Sequence, residues 1–213
     1  MLIYFRREIG EIVRSLIQWF TVPASRGTSE ARMAWAVVWG SLPIGVFGFV
    51  FQDFIVSDAR SLTLVACTLI VFGIILMVAE RFPVRRNTGL SPGTAVTMGF
   101  AQALALIPGV SRSGATISAG LLAGAERTVV TRYAFLLAVP AVMGSGLYEA
   151  LSISEGPVAW GPTLLATCIA ALIGFAVISG LLKFLQNHSF TVFGLYRVIL
   201  GTGLLLAIAW GWL

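Results

Sequence analysis

The run Ile107-Pro108-Gly109-Val110-Ser111-Arg112-Ser113-Gly114-Ala115-Thr116 carries the parts of an anion site. Arg112 can clasp phosphate oxygens with two parallel bonds and stays charged at any working pH. Ser111, Ser113 and Thr116 add hydroxyls, for contact with the anion or, beside a base, for nucleophilic attack. Gly109 and Gly114 let the backbone come close to a ligand. A helix beginning near Ser113 would aim free N–H groups and its positive dipole end at the same spot. The plainer alternative is that the serines and the arginine cap a broken helix and meet only backbone. An arginine inside a bilayer is costly and usually functional, which favours the anion site.

Other polar residues offer less. Glu149 lies near the outer end of its helix and Arg197 near the cytoplasmic end of another, where both can snorkel to the interface. Asp53 reads as solvated at a helix end. His188, the one histidine, falls in a loop and reads as a surface residue rather than a general base. Cys67 and Cys168 sit inside apolar runs, with neither a disulfide framework nor metal-ligand spacing.

The elements that hold these residues belong to a membrane protein. Of 213 residues, 58% are apolar or aromatic and only 11% charged, whereas a soluble domain is about a quarter charged. Mean hydropathy is +0.93. This excludes a soluble enzyme, a disordered tail and a binder of nucleic acid, and it turns the net charge of +5 into a matter of topology. A spanning helix needs about 20 apolar residues. Segments 33–56, 61–79, 133–151, 163–182 and 192–213 qualify, the last ending in a Trp210 and Trp212 anchor. Residues 9–22 form an amphipathic surface helix within an N-terminal segment, 1–32, of a single membrane domain, 1–213. Gly120, Gly124, Gly144 and Gly146 read as sites of close helix packing, and Pro140 as a kink.

Residues 95–124 are too long for one helix and too short for two. Pro108-Gly109 divides them into half-helices 95–107 and 113–124. Broken backbone at bilayer depth is tolerated only inside protein or beside a wet cavity, so this stretch reads as a re-entrant hairpin. Charge placement agrees. If the hairpin returns to the side it left, nearly every loop arginine and lysine shares that side, with Arg60 alone opposite. If it crosses, Arg127, Arg132 and Lys183 move over and the bias weakens; loop 152–162, which has Glu155 but no basic residue, becomes cytoplasmic.

The stretch from Met98-Gly99-Phe100-Ala101-Gln102 through Pro108-Gly109-Val110-Ser111-Arg112-Ser113-Gly114-Ala115-Thr116 resembles the second signature of the undecaprenyl-diphosphate phosphatase family. Tyr133-Ala134-Phe135-Leu136-Leu137-Ala138-Val139-Pro140, Tyr4-Phe5-Arg6-Arg7 and Tyr196-Arg197 are similar to it as well, so the resemblance covers essentially the whole chain. It implies hydrolysis of undecaprenyl diphosphate to the monophosphate carrier lipid in the bacterial inner membrane. That activity recycles the lipid for cell-wall synthesis and gives bacitracin resistance. It also implies a site opening on the outer face, an inverted-repeat architecture and a divalent cation, magnesium or calcium. Arg112, Ser111, Ser113 and Thr116 would be catalytic, with Gly109, Gly114 and Gln102 binding substrate. The partners implied are the lipid diphosphate and the bilayer, with no nucleic acid and with a homodimer left open. The family's other signature, a Glu-rich helix followed by Ser-Ser-x-Gly-His, does not occur in these residues, and the five-residue apolar stub before Arg6-Arg7 fits a chain that starts after it. On residues 1–213 alone, affinity for the diphosphate without hydrolysis is expected. A membrane carrier for a polyprenyl phosphate or another anion is the alternative, since inverted hairpins also build transporters.

Overall fold

A computed structural model describes residues 2–51, 61–82, 90–152 and 160–212; among these the chain is helical, with no strand. Asp53, read above as solvated, and Arg60 and Glu155, used above for topology, lie outside the described residues, as do the loop arginines Arg85 and Arg86. The helices are α1 (Arg6–Thr21), α2 (Ser29–Val50), α3 (Leu62–Ala79), α4 (Pro92–Ala103), α5 (Arg112–Leu122), α6 (Arg127–Ser152), α7 (Trp160–Asn187) and α8 (Thr191–Ala209). Five of them, α2, α3, α6, α7 and α8, are long and apolar enough to cross a membrane. The two short ones, α4 and α5, are the halves of 95–124; they start at Pro92 and Arg112, and α4 gives way to a single 3-10 turn at Leu104–Leu106.

Local chemistry sets the starts. Thr28, Ser61, Ser91 and Ser111 each precede a helix and accept a hydrogen bond from the N–H three residues on, filling one of the donors a helix start leaves free. Spacing between helices is set by missing side chains. A Cβ at Gly73 of α3 would stand 2.8 Å from the Gly194 carbonyl of α8, and one at Gly99 of α4 would stand 2.7 Å from Gly40 Cα of α2. Gly120 likewise abuts Val130. Gly144 and Gly146 do not fit the packing expectation, since nothing lies within 4 Å of where their Cβ atoms would be; Gly124 serves instead as a turn residue with φ +80°. The α6 helix runs on through Pro140.

Helix α6 begins six residues earlier than hydropathy places it, because its two arginines are paired. Arg132 reaches Glu8 at 3.4 Å, and Arg127 reaches Glu80 at 3.3 Å while covering the Phe190 ring at 4.4 Å. Glu80, just past α3, also accepts from the Phe190 N–H at 2.8 Å, from the Thr191 N–H and hydroxyl at 2.9 Å each, and from the Ser189 hydroxyl. Burial alone would raise its carboxyl, but these hydrogen bonds and the Arg127 guanidinium hold it below the usual glutamate value. One carboxylate thus ties the end of α3 to the starts of α6 and α8. Most of α7 is exposed, while its last turns pack inward, with Leu185 buried and Ile178, Leu181 and Leu182 against the core.

Candidate functional site

The site starts from a turn. The Val110 N–H donates to the Ile107 carbonyl at 3.1 Å, with Pro108 and Gly109 between them and Gly109 at φ +88°. This is the arrangement of a type II turn, where proline suits the second position and only glycine is at ease in the third. Glycine is required for a second reason: a Cβ there would collide with the Thr68 hydroxyl and stand 2.6 Å from the Val65 carbonyl of α3. Chain leaving the turn enters α5 directly. Ser111 caps it, accepting from the Gly114 N–H at 3.1 Å, and lies 3.4 Å from the Ser113 hydroxyl. The first intrahelical bond is Ala115 N–H to the Ser111 carbonyl, at 2.8 Å. Among the described residues the N–H groups of Arg112 and Ser113 have no partner at the helix start, and the first turn holds no acidic residue.

Cavities flank this start on two sides. Arg112, half-buried, lines a cleft of about 840 Å³ together with Val110, Pro140, Ser145, Tyr148 and Glu149. Among the described residues its guanidinium makes no hydrogen bond or ion pair. Glu149, read from the sequence as a helix-end carboxylate, opens onto the same cleft. A smaller cavity of about 250 Å³ exposes Ser111, Ser113, Gly114, Tyr196 and Arg197 against a wall that includes Phe135, Leu181 and Phe193.

Other expected site residues take different positions. Thr116 is fully buried and donates its hydroxyl to the Arg112 carbonyl at 2.7 Å; it faces neither cavity. Gln102 is also fully buried, and both its carboxamide atoms lack a partner among the described residues. His188 is exposed and stacks on Phe184, clear of both cavities. Arg197 departs from its expected role. It does not snorkel: it is 8% exposed and donates Nη2–H to the Gly109 carbonyl at 2.7 Å. Hydropathy could not show this, because the partner lies 88 residues away. Thr68 donates its hydroxyl to the Pro108 carbonyl at 2.7 Å; in the sequence nothing sets it apart from Thr63 in the same apolar run.

The divalent cation implied by the resemblance finds a thin donor set. Magnesium and calcium gather several oxygen ligands, whereas among the described residues Glu149 is the one carboxylate lining the Arg112 cleft and no three His, Cys, Asp or Glu side chains group together. These residues alone do not fit a cation.

A family model described as "Bacitracin resistance protein BacA" matches residues 1–203. The undecaprenyl-diphosphatase of Nocardioides sp. is 46% identical over 215 residues, which are 99% of this chain and 78% of that protein. The undecaprenyl-diphosphatase of Streptomyces griseus is 46% identical over 98% of this chain and 77% of its own length. That of Mycolicibacterium smegmatis is 46% identical over 99% and 79% respectively.

Proposed function

Because this chain belongs to the BacA family, we propose that it works as an undecaprenyl-diphosphatase of a bacterial membrane, with the start of α5 as the seat of the phosphate. One observation carries the placement: Arg112 stands at a helix N-terminus, with no protein partner among the described residues, on the wall of a large cleft. Its planar guanidinium takes two non-bridging oxygens, and the free N–H groups of Arg112 and Ser113 add donors that need no reorganisation. Ser111 and Ser113 supply hydroxyls from the cap itself. In hydrolysis the bond between the bridging oxygen and the terminal phosphorus breaks. Water's oxygen leaves on phosphate, and the lipid keeps the bridging oxygen as its monophosphate. Charge that gathers on those oxygens is what Arg112 and the dipole of α5 stabilise. The relatives compared carry the hydrolase name, which favours hydrolysis over the carrier reading.

The site opens to the outer face of the inner membrane. The cleft is lined by Gly48 and Phe49 near the end of α2 and by Tyr148 and Glu149 near the end of α6, while the basic start of α6 is bonded to Glu80. That bond supports a re-entrant hairpin, since it joins the start of α6, which follows α5, to the end of α3, which precedes α4. Single cysteines at Thr94 and Thr128, with Cys67 and Cys168 replaced, then react from the cytoplasmic side alike; reaction from opposite sides refutes the hairpin. For the activity, membranes from cells expressing the protein as its gene encodes it release phosphate from undecaprenyl diphosphate, and membranes carrying Arg112→Ala do not. Equal release from both removes Arg112 from the site.

A further inference from the structure

Pro108 and Gly109 present two consecutive carbonyls at the corner of the turn, and a different long helix holds each one. Thr68 of α3 takes the first and Arg197 of α8 the second, both at 2.7 Å. Neither side chain lines the cleft that holds Arg112. Non-helical carbonyls at bilayer depth need a donor from protein or water, and here each acceptor has one. The Thr68 hydroxyl could rest on its own helix, as threonines in helices commonly do; it lies 2.9 Å from the Leu64 carbonyl and 3.0 Å from the Val65 carbonyl. Its shortest contact is nevertheless with the turn. The two helices that carry the donors are fixed to each other, in backbone contact at Gly73 and Gly194 and tied at one end through Glu80. The bare Cα of Gly109 lets the turn settle directly against this pair.

We propose that Thr68 and Arg197 are positioning residues for the hydrolysis, a two-point clamp that sets where the start of α5 stands over the bound diphosphate. Gly109 is followed by Val110, the capping Ser111 and then Arg112, so a shift at the corner passes to the guanidinium through a short, hydrogen-bonded piece of backbone. This rests on the reading of the α5 start as the phosphate seat. A displacement of about 1 Å at a reacting centre costs up to 100-fold in rate, and the clamp guards against shifts of that size. Because Thr68 lines neither cavity beside the start of α5, its loss acts on turnover more than on affinity.

Thr68→Val removes the hydroxyl at nearly constant shape, and Thr68→Ser restores it. Both are tested in the protein as its gene encodes it, by phosphate release from undecaprenyl diphosphate and by amide hydrogen exchange over residues 107–114. The valine variant is expected to lose roughly 10-fold in kcat with KM changed less than about twofold, an intermediate share of the misplacement cost. Its turn amides should exchange faster, and serine should recover both properties. Arg197→Lys, which keeps the charge and shortens the reach to Gly109, should also raise exchange in the turn. Wild-type kcat and exchange in the valine variant would overturn the clamp. So would a serine variant as impaired as valine, which points to side-chain shape, or a rise in KM at unchanged kcat, which points to binding. No phosphate release from the wild-type protein would instead sink the hydrolase reading, and the clamp's purpose with it.

Discussion

Two helix starts in this molecule meet the same electrostatic demand in opposite ways. At α8 the chain brings its own anion: the Glu80 carboxylate sits on the Phe190 and Thr191 N–H groups, closed in by Ser189 and Arg127. At α5 no carboxylate arrives. The first turn holds no acid, Ser111 covers one N–H, and the next side chain is a cation without a protein partner among the described residues. A helix start favours a negative charge within its first turn. The charge at α8 is consumed by structure, whereas the start of α5 is, on the function proposed above, the one that takes an anion from outside. Completeness of pairing, more than burial or charge type, separates the structural ion Glu80 from the proposed phosphate ligand Arg112.

The strongest way to break this contrast is Arg112→Lys. Lysine keeps the charge but cannot form the planar two-bond clasp. Losing a transition-state contact of about 3 kcal/mol slows turnover roughly 100-fold, and near-normal turnover would make Arg112 an unspecific charge. A sharper form builds the α8 solution into α5. Ser113→Asp places a carboxylate at the helix start, where it competes with the diphosphate, and KM for the lipid should rise about tenfold, within the range of helix-terminus effects. An unchanged KM would mean the start of α5 is not where the anion binds.

Tests at the other start should touch stability and spare chemistry. Glu80→Ala strands the N–H groups of Phe190 and Thr191 and frees Arg127, costing about 1–3 kcal/mol. That cost shows as a lower thermal midpoint in detergent, with kcat changed by less than roughly threefold, as expected for a residue outside the reacting centre. The smallest effect concerns pH. Glu80 titrates below the usual glutamate value, so the stability it contributes is complete above that value and fades as pH falls through its lowered one. A Glu80→Gln variant should lack this component of the acid loss. Parallel acid profiles for the two proteins would show that the carboxylate is not held by its partners.

The reach of sequence reasoning follows the distance between partners. Five apolar segments and the Pro108-Gly109 break were legible because both signals are local: a run of side chains and a dipeptide. Helix ends were read less well. The start of α6 was placed at Tyr133, since Arg127 and Arg132 look too polar for a span until Glu80 and Glu8 are seen beside them. The cap at Ser111 was readable as chemistry, and the helix begins one residue earlier than expected. Glu149 was set aside as an interfacial carboxylate, because only the fold shows its cleft to be that of Arg112. Arg197 and Thr68 escaped for the same reason, their acceptors lying 88 and 40 residues away.

The span of those contacts also sets an order of completion as the chain is made. The Thr68 bond to Pro108 needs only the hairpin that follows it 40 residues later. The Arg197 bond to Gly109 and the bonds of Glu80 to Phe190 and Thr191 must wait for α8, the last helix described. Until that helix emerges from the ribosome, a carboxylate and a carbonyl corner stay unfinished at the same time. Helix α8 therefore completes both sets of bonds together. A chain that stops before it leaves the Gly109 carbonyl without its arginine and the Glu80 carboxylate without the Phe190 and Thr191 donors.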